Sequence, residues 1–212
     1  MYEPRHFEQH DPQALQALMR EHPLATLVTQ SADGSLEANP VPLLYDPAAG
    51  PHGTLRGHVA RANPLWRDTL AGSQALAVFQ GPEAYVSPSW YPSKREHGKM
   101  VPTWNYAVVQ ARGPLVIHDD AQWLRGFLQQ LTAAHESGRP EPWAMADAPA
   151  DFIEQTLKAI VGIEMPLTRL TGKWKVSQNR SAADRAGVAA GLEAEGSPAA
   201  QAMALLVRQT SG

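Results

Sequence analysis

The sequence predicts a mainly antiparallel β fold with added helices, a barrel or sandwich of short strands carrying helices on its outside. Three observations lead there. The 18 prolines and 16 glycines cut the chain into short runs. Those runs are rich in β-branched residues and follow one another without regular βαβ alternation. Charged residues make up only 18% of the chain, which is low for a long-helix protein. With 212 residues, 43% of them hydrophobic, the chain can bury a real core. We expect a main body over residues 1–180 and a helical extension over 181–212 packed on it.

The elements are justified in turn. Asp11 caps a first helix with Pro12 at its first position, Leu15, Leu18 and Met19 share a face, and Pro23 stops it. Leu24 to Thr29 reads as a strand, and Ser31 to Gly34 supplies a turn. Leu36 to Tyr45 resumes an extended run broken by Pro40 and Pro42. A proline cannot donate to a ladder, so this run belongs at an edge or leaves part of its backbone free. Thr54 to Val59 is a strand; Asn63-Pro64 restarts a helix with Leu65, Trp66 and Leu70 on the core, ending near Gly72.

Strands follow at Leu76 to Gln80, Ala84 to Ser87 and Trp104 to Ile117, the last bent at Gly113-Pro114. From Asp120 the period changes to helical, with Trp123, Leu124, Phe127, Leu128 and Leu131 on one side until Ser137-Gly138. A helix over Asp151 to Val161, a strand over Ile163 to Val176 and two short closing helices complete the reading.

Formal charge is −3, which argues against a protein that holds nucleic acid by blanketing phosphates. The charge is uneven. Residues 90–112 carry +3 and residues 165–180 carry +4, leaving −10 elsewhere. Locally basic stretches in an acidic chain either receive a phosphate or are solvated surface. There are no cysteines, so disulfides, thiolate ligands and thiol nucleophiles are excluded together. The start has no apolar signal segment and no apolar run approaches membrane-spanning length, so a cytoplasmic protein is expected.

Three segments carry candidate chemistry. Gly57 to Pro64 runs from a strand into a helix capped by Asn63 and presents His58 and Arg61 beside it, the ingredients of a phosphate site or of an ordinary strand end. Tyr85 to Pro92 with Lys94, Lys99 and Met100 to Tyr106 gathers Tyr85, Trp90, Tyr91, Trp104 and Tyr106 around cations. These rings form either a core lid or a wall for a planar heterocycle. Leu170 to Arg180 places Lys173, Lys175 and Arg180 at a strand end, solvated or ligand-facing. The eight histidines make no zinc pattern, and no nucleophile elbow, Walker loop or dinucleotide fingerprint occurs. Redox chemistry here requires a bound cofactor.

Six segments carry a resemblance. Met1 to Phe7, Ala38 to Leu43, His58 to Pro64, Tyr85 to Tyr91, Val101 to Tyr106 and Lys175 to Arg180, in order along nearly the whole chain, resemble the PaiB family of FMN-binding negative transcriptional regulators. The stretch from Ser181 to Gly196 also looks like that family's ending. The resemblance implies an FMN-binding split β-barrel of the pyridoxamine-phosphate-oxidase type. It implies a homodimer with flavin at the subunit interface. On that basis Asn39, Pro40, Val41 and Pro42 flank the isoalloxazine with partly unpaired backbone, and His58, Arg61 and Asn63 meet the phosphate. Trp104 and Asn105 come from the partner subunit, and Lys99 and Arg180 lie near the flavin tail.

The functions left open are a flavin-linked regulator or sensor, a flavin-dependent oxidoreductase acting on a small molecule or NAD(P)H, and a dimerisation module without ligand. DNA or a regulatory protein is a further partner under the family name. Yet the last helix offers only Arg208 as a cation, where a recognition helix normally brings several donors.

Overall fold

A computed structural model of the chain describes residues 1–69 and 72–209. In chain order its strands are β1 (Glu8–Gln9), β2 (Leu24–Gln30), β3 (Leu36–Pro42), β4 (Leu44–Asp46), β5 (Thr54–Ala60), β6 (Gln74–Val86), β7 (Thr103–Pro114), β8 (Val116–His118), β9 (Ile160–Pro166) and β10 (Arg169–Lys175). Its helices are α1 (Pro12–Glu21), α2 (Leu65–Asp68), α3 (Lys94–His97), α4 (Ala121–Glu136), α5 (Ala150–Lys158), α6 (Ala182–Glu195) and α7 (Pro198–Gln209). Contacts divide the chain into two units, one of Met1–His22, Phe79–Gln110 and Thr171–Gly212, the other of Pro23–Val78 and Ala111–Leu170. No helix among the described residues is long and apolar enough to cross a membrane.

In the second unit β2 lies antiparallel between β3 and the start of β6, with Leu24 opposite Pro42 and Gln30 opposite Leu36. The strands β4, β5, β9 and β8 form an antiparallel sheet in that order. Leu55, Val59, Ile163 and Met165 are buried, whereas Arg56 and His58 alternate with the buried positions of β5 and are only half-buried. That second face is covered from α4. His58, Gly162 and His118 form one cross-strand row, and the Trp123 ring lies over Gly162. Trp123 stacks on His118 with centroids 4.1 Å apart and on Phe127 at 5.4 Å, and Phe127 meets His58 edge-on at 6.0 Å. In the next row Arg56 bridges Asp46 at 2.9 Å and Glu164 at 2.8 Å. Behind α4, Leu124, Ile153 and Leu157 make a small core with α5.

In the first unit the strand order is β1, β10, β7, β6. Asp11 Oδ1 accepts the Gln13 N–H at 2.9 Å, Pro12 opens α1, and Leu15, Leu18 and Met19 are buried, as the sequence indicated. The closing helices α6 and α7 are amphipathic and share one core, in which Val188, Leu192, Met203 and Val207 pack with Ala84, Val86, Tyr91 and Val176. Ser181 caps α6 by accepting the Asp184 N–H.

Six element boundaries differ from the sequence reading, each for a physical reason. The run over Leu36 to Tyr45 is β3 and β4, parted at Leu43 into different sheets. The helix over Asp151 to Val161 ends at Lys158, because Ile160 and Val161 pair with β5 in β9. The two strands expected around Gly81 are the single strand β6, whose buried positions are odd up to Gly81 and even from Ala84. That phase change imitates a break. The strand expected over Ile163 to Val176 is β9 and β10, parted after Pro166, where Leu167 and Thr168 donate instead to Gly53 and Arg112. The strand over Trp104 to Ile117 is β7 and β8, interrupted at Leu115. The helix after Asn63 is the single turn α2, with Leu65 buried, Trp66 half-buried and Thr69 already bridged to Ser31. The expected core role of Leu70 lies outside the described residues.

Two predictions follow from the α4 cover. A Cβ at Gly162 would stand 2.3 Å from a Trp123 ring carbon that is already wedged between His118 and Phe127. Gly162→Ala therefore costs about 1–3 kcal/mol in urea unfolding; an unchanged midpoint would mean that Trp123 is free to move. His58 is held below the ordinary histidine range by burial, and its Nδ1 has no partner. Its folded-state value lies below its unfolded one, so the unfolded chain takes the extra proton first and stability falls as pH drops through about 6.5. Urea midpoints compared at about pH 7.5 and about pH 5.5 should drop more in the native protein than in His58→Gln.

Candidate functional site

The edge strand β3 sets the geometry of the second unit's site. In an antiparallel pair, residues alternate between those that exchange both hydrogen bonds and those that exchange none. Pro40 and Pro42 stand opposite Thr26 and Leu24 and have no N–H to give, so they occupy the non-bonded positions. Ala38, in phase with them, turns its N–H and carbonyl outward together with the carbonyls of Pro40 and Pro42. Asn39 and Val41 occupy the bonded positions facing β2; Val41 is buried and Asn39 half-buried.

Asn39 leads into a cleft of about 1180 Å³ whose lining includes Thr29, Ser31, Asn39, Asn63, Leu65 and Thr69. Asn63 Nδ2 donates to Asn39 Oδ1 at 3.1 Å, and Asn63 Oδ1 accepts the Leu65 N–H at 2.9 Å. Pro64, not Asn63, is the cap residue of α2; Asn63 stands one position earlier and still takes up the N–H of the helix's first residue. The acids Asp33, Glu37 and Asp68 also line this cleft, against Arg67 as its cation. Arg67 lies over the Trp66 ring at 5.1 Å.

The structure brings Asn39 and Asn63 together; it places His58 and Arg61 elsewhere in the same unit. The His58 ring lies under Phe127 and does not line the cleft. Arg61 spends its guanidinium on Asp119, with Nη1 at 2.9 Å, and on the carbonyls of Lys158 and Ile160 at 2.7 and 3.1 Å. The pairing raises Arg61 above its ordinary value and lowers Asp119 below the usual carboxylate range. Sequence reasoning missed Asp119. Of the doublet Asp119-Asp120, Asp120 caps α4 through the Trp123 N–H, and no local pattern links its neighbour to an arginine 58 residues away.

The remaining expected residues belong to the first unit. Lys99 is exposed in the loop after α3. Trp104 is 54% exposed and meets Tyr85, itself 45% exposed, edge-on with centroids 6.0 Å apart. Asn105 is buried and its Nδ2 donates to Ser177 Oγ at 2.9 Å. Ser177 holds φ at 66°, a left-handed conformation that a non-glycine residue adopts at a cost. That turn carries the chain from β10 to Arg180, whose guanidinium lies over the Tyr91 ring at 5.3 Å. Lys175 Nζ donates to Thr103 Oγ1 at 2.6 Å and to the Trp104 carbonyl. Lys173 Nζ donates to the Tyr2 carbonyl at 3.0 Å beneath the Tyr106 ring. Among the described residues no carboxylate pairs with any of these three cations.

Comparison with known proteins gives this geometry a context. Residues 1–169 match a family model described as "Putative FMN-binding domain". The chain is 32% identical to the protease synthase and sporulation protein PAI 2 of Bacillus subtilis, over 98% of this chain and 96% of that one. It is 33% identical to an uncharacterised protein of Aspergillus fumigatus over 96% of this chain and 95% of that one. Among solved structures, the FAD and heme binding protein of Mycobacterium smegmatis superposes with a TM-score of 0.57 at 20% identity, covering 79% of this chain and 73% of that one. The flavocytochrome Anf3 of Azotobacter vinelandii gives 0.57 at 14% identity, covering 79% and 69%. These structural likenesses bear on fold alone, and they bear out a mostly antiparallel split β-barrel with added helices. With a family model over residues 1–169 and a relative matched along nearly its whole length, the chain belongs to the FMN-binding PaiB family, with FMN as its cofactor.

Proposed function

We propose that the chain is a cytoplasmic FMN-binding homodimer in which the outer edge of β3 holds the isoalloxazine, with Asn39 to Pro42 flanking it. Trp104 of the partner subunit closes over the ring from the opposite side, with Asn105, buried against Ser177, set behind it. The observation that carries this reading is the unpaired backbone of β3. Its Ala38 N–H and carbonyl offer a donor beside an acceptor, which can pair with one carbonyl and the N3–H of a flavin's imide edge, and the Pro40 carbonyl adds a further acceptor. The half-exposed Trp104–Tyr85 pair in the first unit supports the second half, because flat apolar surface left open on a monomer is the usual substance of an interface. When bound, FMN supplies electron-transfer chemistry that the side chains lack.

The proposed phosphate group remains His58, Arg61 and Asn63. Arg61 is already bonded to Asp119, so a phosphate there shares or displaces that carboxylate. His58 is kept neutral by burial and acts through packing or as a hydrogen-bond partner, without contributing charge. Lys99 and Arg180 remain the proposed neighbours of the flavin tail.

The regulatory role of this dimer runs through its flavin or through a protein partner; operator reading has little support. Arg208, the cation of α7, is committed to Glu193 at 2.7 and 2.8 Å. A helix so furnished has little to offer base edges or phosphates.

Two measurements test this. In sedimentation followed at the flavin's visible band, added FMN should travel with the protein at the mass of two chains. A labelled duplex from the upstream region should sediment as free DNA in the same run. Flavin left at the meniscus would sink the central reading, and flavin carried at the mass of one chain would sink the dimer. Separately, Arg61→Ala should weaken FMN by about tenfold or more while changing riboflavin much less. Equal losses for the two ligands would place the phosphate away from Arg61.

A further inference from the structure

The strand β10 and the turn after it gather three cations for which the flavin reading has no full account. Lys173 and Lys175 sit two residues apart and therefore on one face of β10. Lys173 is 7% exposed and is held by the Tyr2 carbonyl and by the Tyr2 and Tyr106 rings, with centroids 5.7 and 5.3 Å from its amine. Lys175 is half-buried and bonds to Thr103 Oγ1 and the Trp104 carbonyl, both neutral groups. Arg180, also half-buried, rests on the Tyr91 ring with Nη1 3.8 Å from Met100 Sδ.

Two acids stand near enough to matter. Glu8 is paired with His10, and Asp184, held low against the effect of burial by Ser93, Ser181 and Arg180, keeps its charge toward Arg180 and leaves the lysines unmatched. Glu8 is opposite Lys173 in the β1–β10 register, but its carboxylate pairs with His10 at 2.9 Å. Asp184 accepts the Ser93 N–H and hydroxyl at 3.1, 2.9 and 2.8 Å. Among the described residues no carboxylate pairs with Lys175; its amine is pushed below the ordinary lysine value, first by burial and then by Lys173 and Arg180. Positive charges held together by neutral acceptors and ring faces make a preorganised field for an anion. Beside them, the Trp104 ring, met edge-on by Tyr85, leaves aromatic surface open.

We propose that Lys175 and Arg180, with Lys173 beneath them, form a binding site for the carboxylate or phosphate of a small aromatic molecule distinct from FMN, whose ring packs on Trp104. Lys175 and Arg180 reach the oxyanion. Lys173 is too deeply set to touch it and contributes potential. Ser177, locked in its left-handed turn by Asn105, sets the position of Arg180. The site stands on the geometry of one unit and shares Trp104 and Arg180 with the flavin contacts proposed above, so Lys175 is the residue that distinguishes it from them.

Phenyl phosphate and benzoate are the probes, with phenol as the uncharged control, titrated into the full-length protein with and without saturating FMN and read by tryptophan fluorescence. Both anions should saturate, and phenol should not. Lys175→Met should weaken them by about tenfold or more, and Lys175→Arg should retain most of the affinity. The FMN-over-riboflavin preference should be the same in native protein and Lys175→Met. Should Lys175→Met fail to fold by circular dichroism, Lys175→Gln makes the same comparison. Failure of the anions to saturate, or equal binding by native and variant protein, would overturn the site. Loss of the FMN-over-riboflavin preference in Lys175→Met would overturn it differently, by assigning the cations to the flavin's own phosphate. Absence of FMN binding altogether would count against the function proposed above and leave the anion titration to be judged alone.

Discussion

The missing N–H of Pro40 and Pro42 is the constraint on which the second unit is arranged. Because neither residue can donate to a ladder, both must occupy non-bonded positions opposite β2. That one requirement selects the register from Leu24↔Pro42 to Gln30↔Leu36, buries Val41 and puts Asn39 where Asn63 can reach it. It also leaves a row of outward carbonyls that a further strand could use only poorly. An edge of this kind resists adventitious strand pairing and still has backbone to offer a ligand.

Charge is handled differently in the two units. In the second, arginines are matched to carboxylates: Arg56 with Asp46 and Glu164, Arg61 with Asp119, and the exposed Arg125 with Glu154. The more exposed of these pairs contribute little stability, and their main effect is to settle where each guanidinium points. In the first unit the lysines of β10 are matched to carbonyls, hydroxyls and aromatic faces. A cation surrounded in that way keeps its field for something outside the chain. The +4 stretch seen in the sequence is therefore concentrated at one strand and its following turn.

How far the sequence could be read depended on whether a signal was local. The cap and face of α1, the helical period from Asp120 and the edge character of β3 were all legible, since each rests on residues within a turn or two of one another. The continuity of β6 was not legible, because its inward face changes parity between Gly81 and Ala84 and a pattern of period two then looks broken. The division of β9 from β10 was hidden for the opposite reason: both halves are extended, and only their partners differ. In the candidate site, Asn39 and Asn63 were singled out for separate reasons and are now found bonded to one another.

By itself the sequence determined the class of fold, the absence of thiol chemistry, the prolines that make β3 an edge and the family to which the chain belongs. These follow from residue types, short spacings and agreement along nearly the whole chain. Only the tertiary structure decided which charges are spent and which are free. Arg61 and Lys175 look alike as basic residues near strand ends. One is closed by Asp119 from 58 residues away and the other is surrounded by neutral oxygens from β7. Electrostatic partnership is set by distance in space, and a linear sequence does not carry that distance.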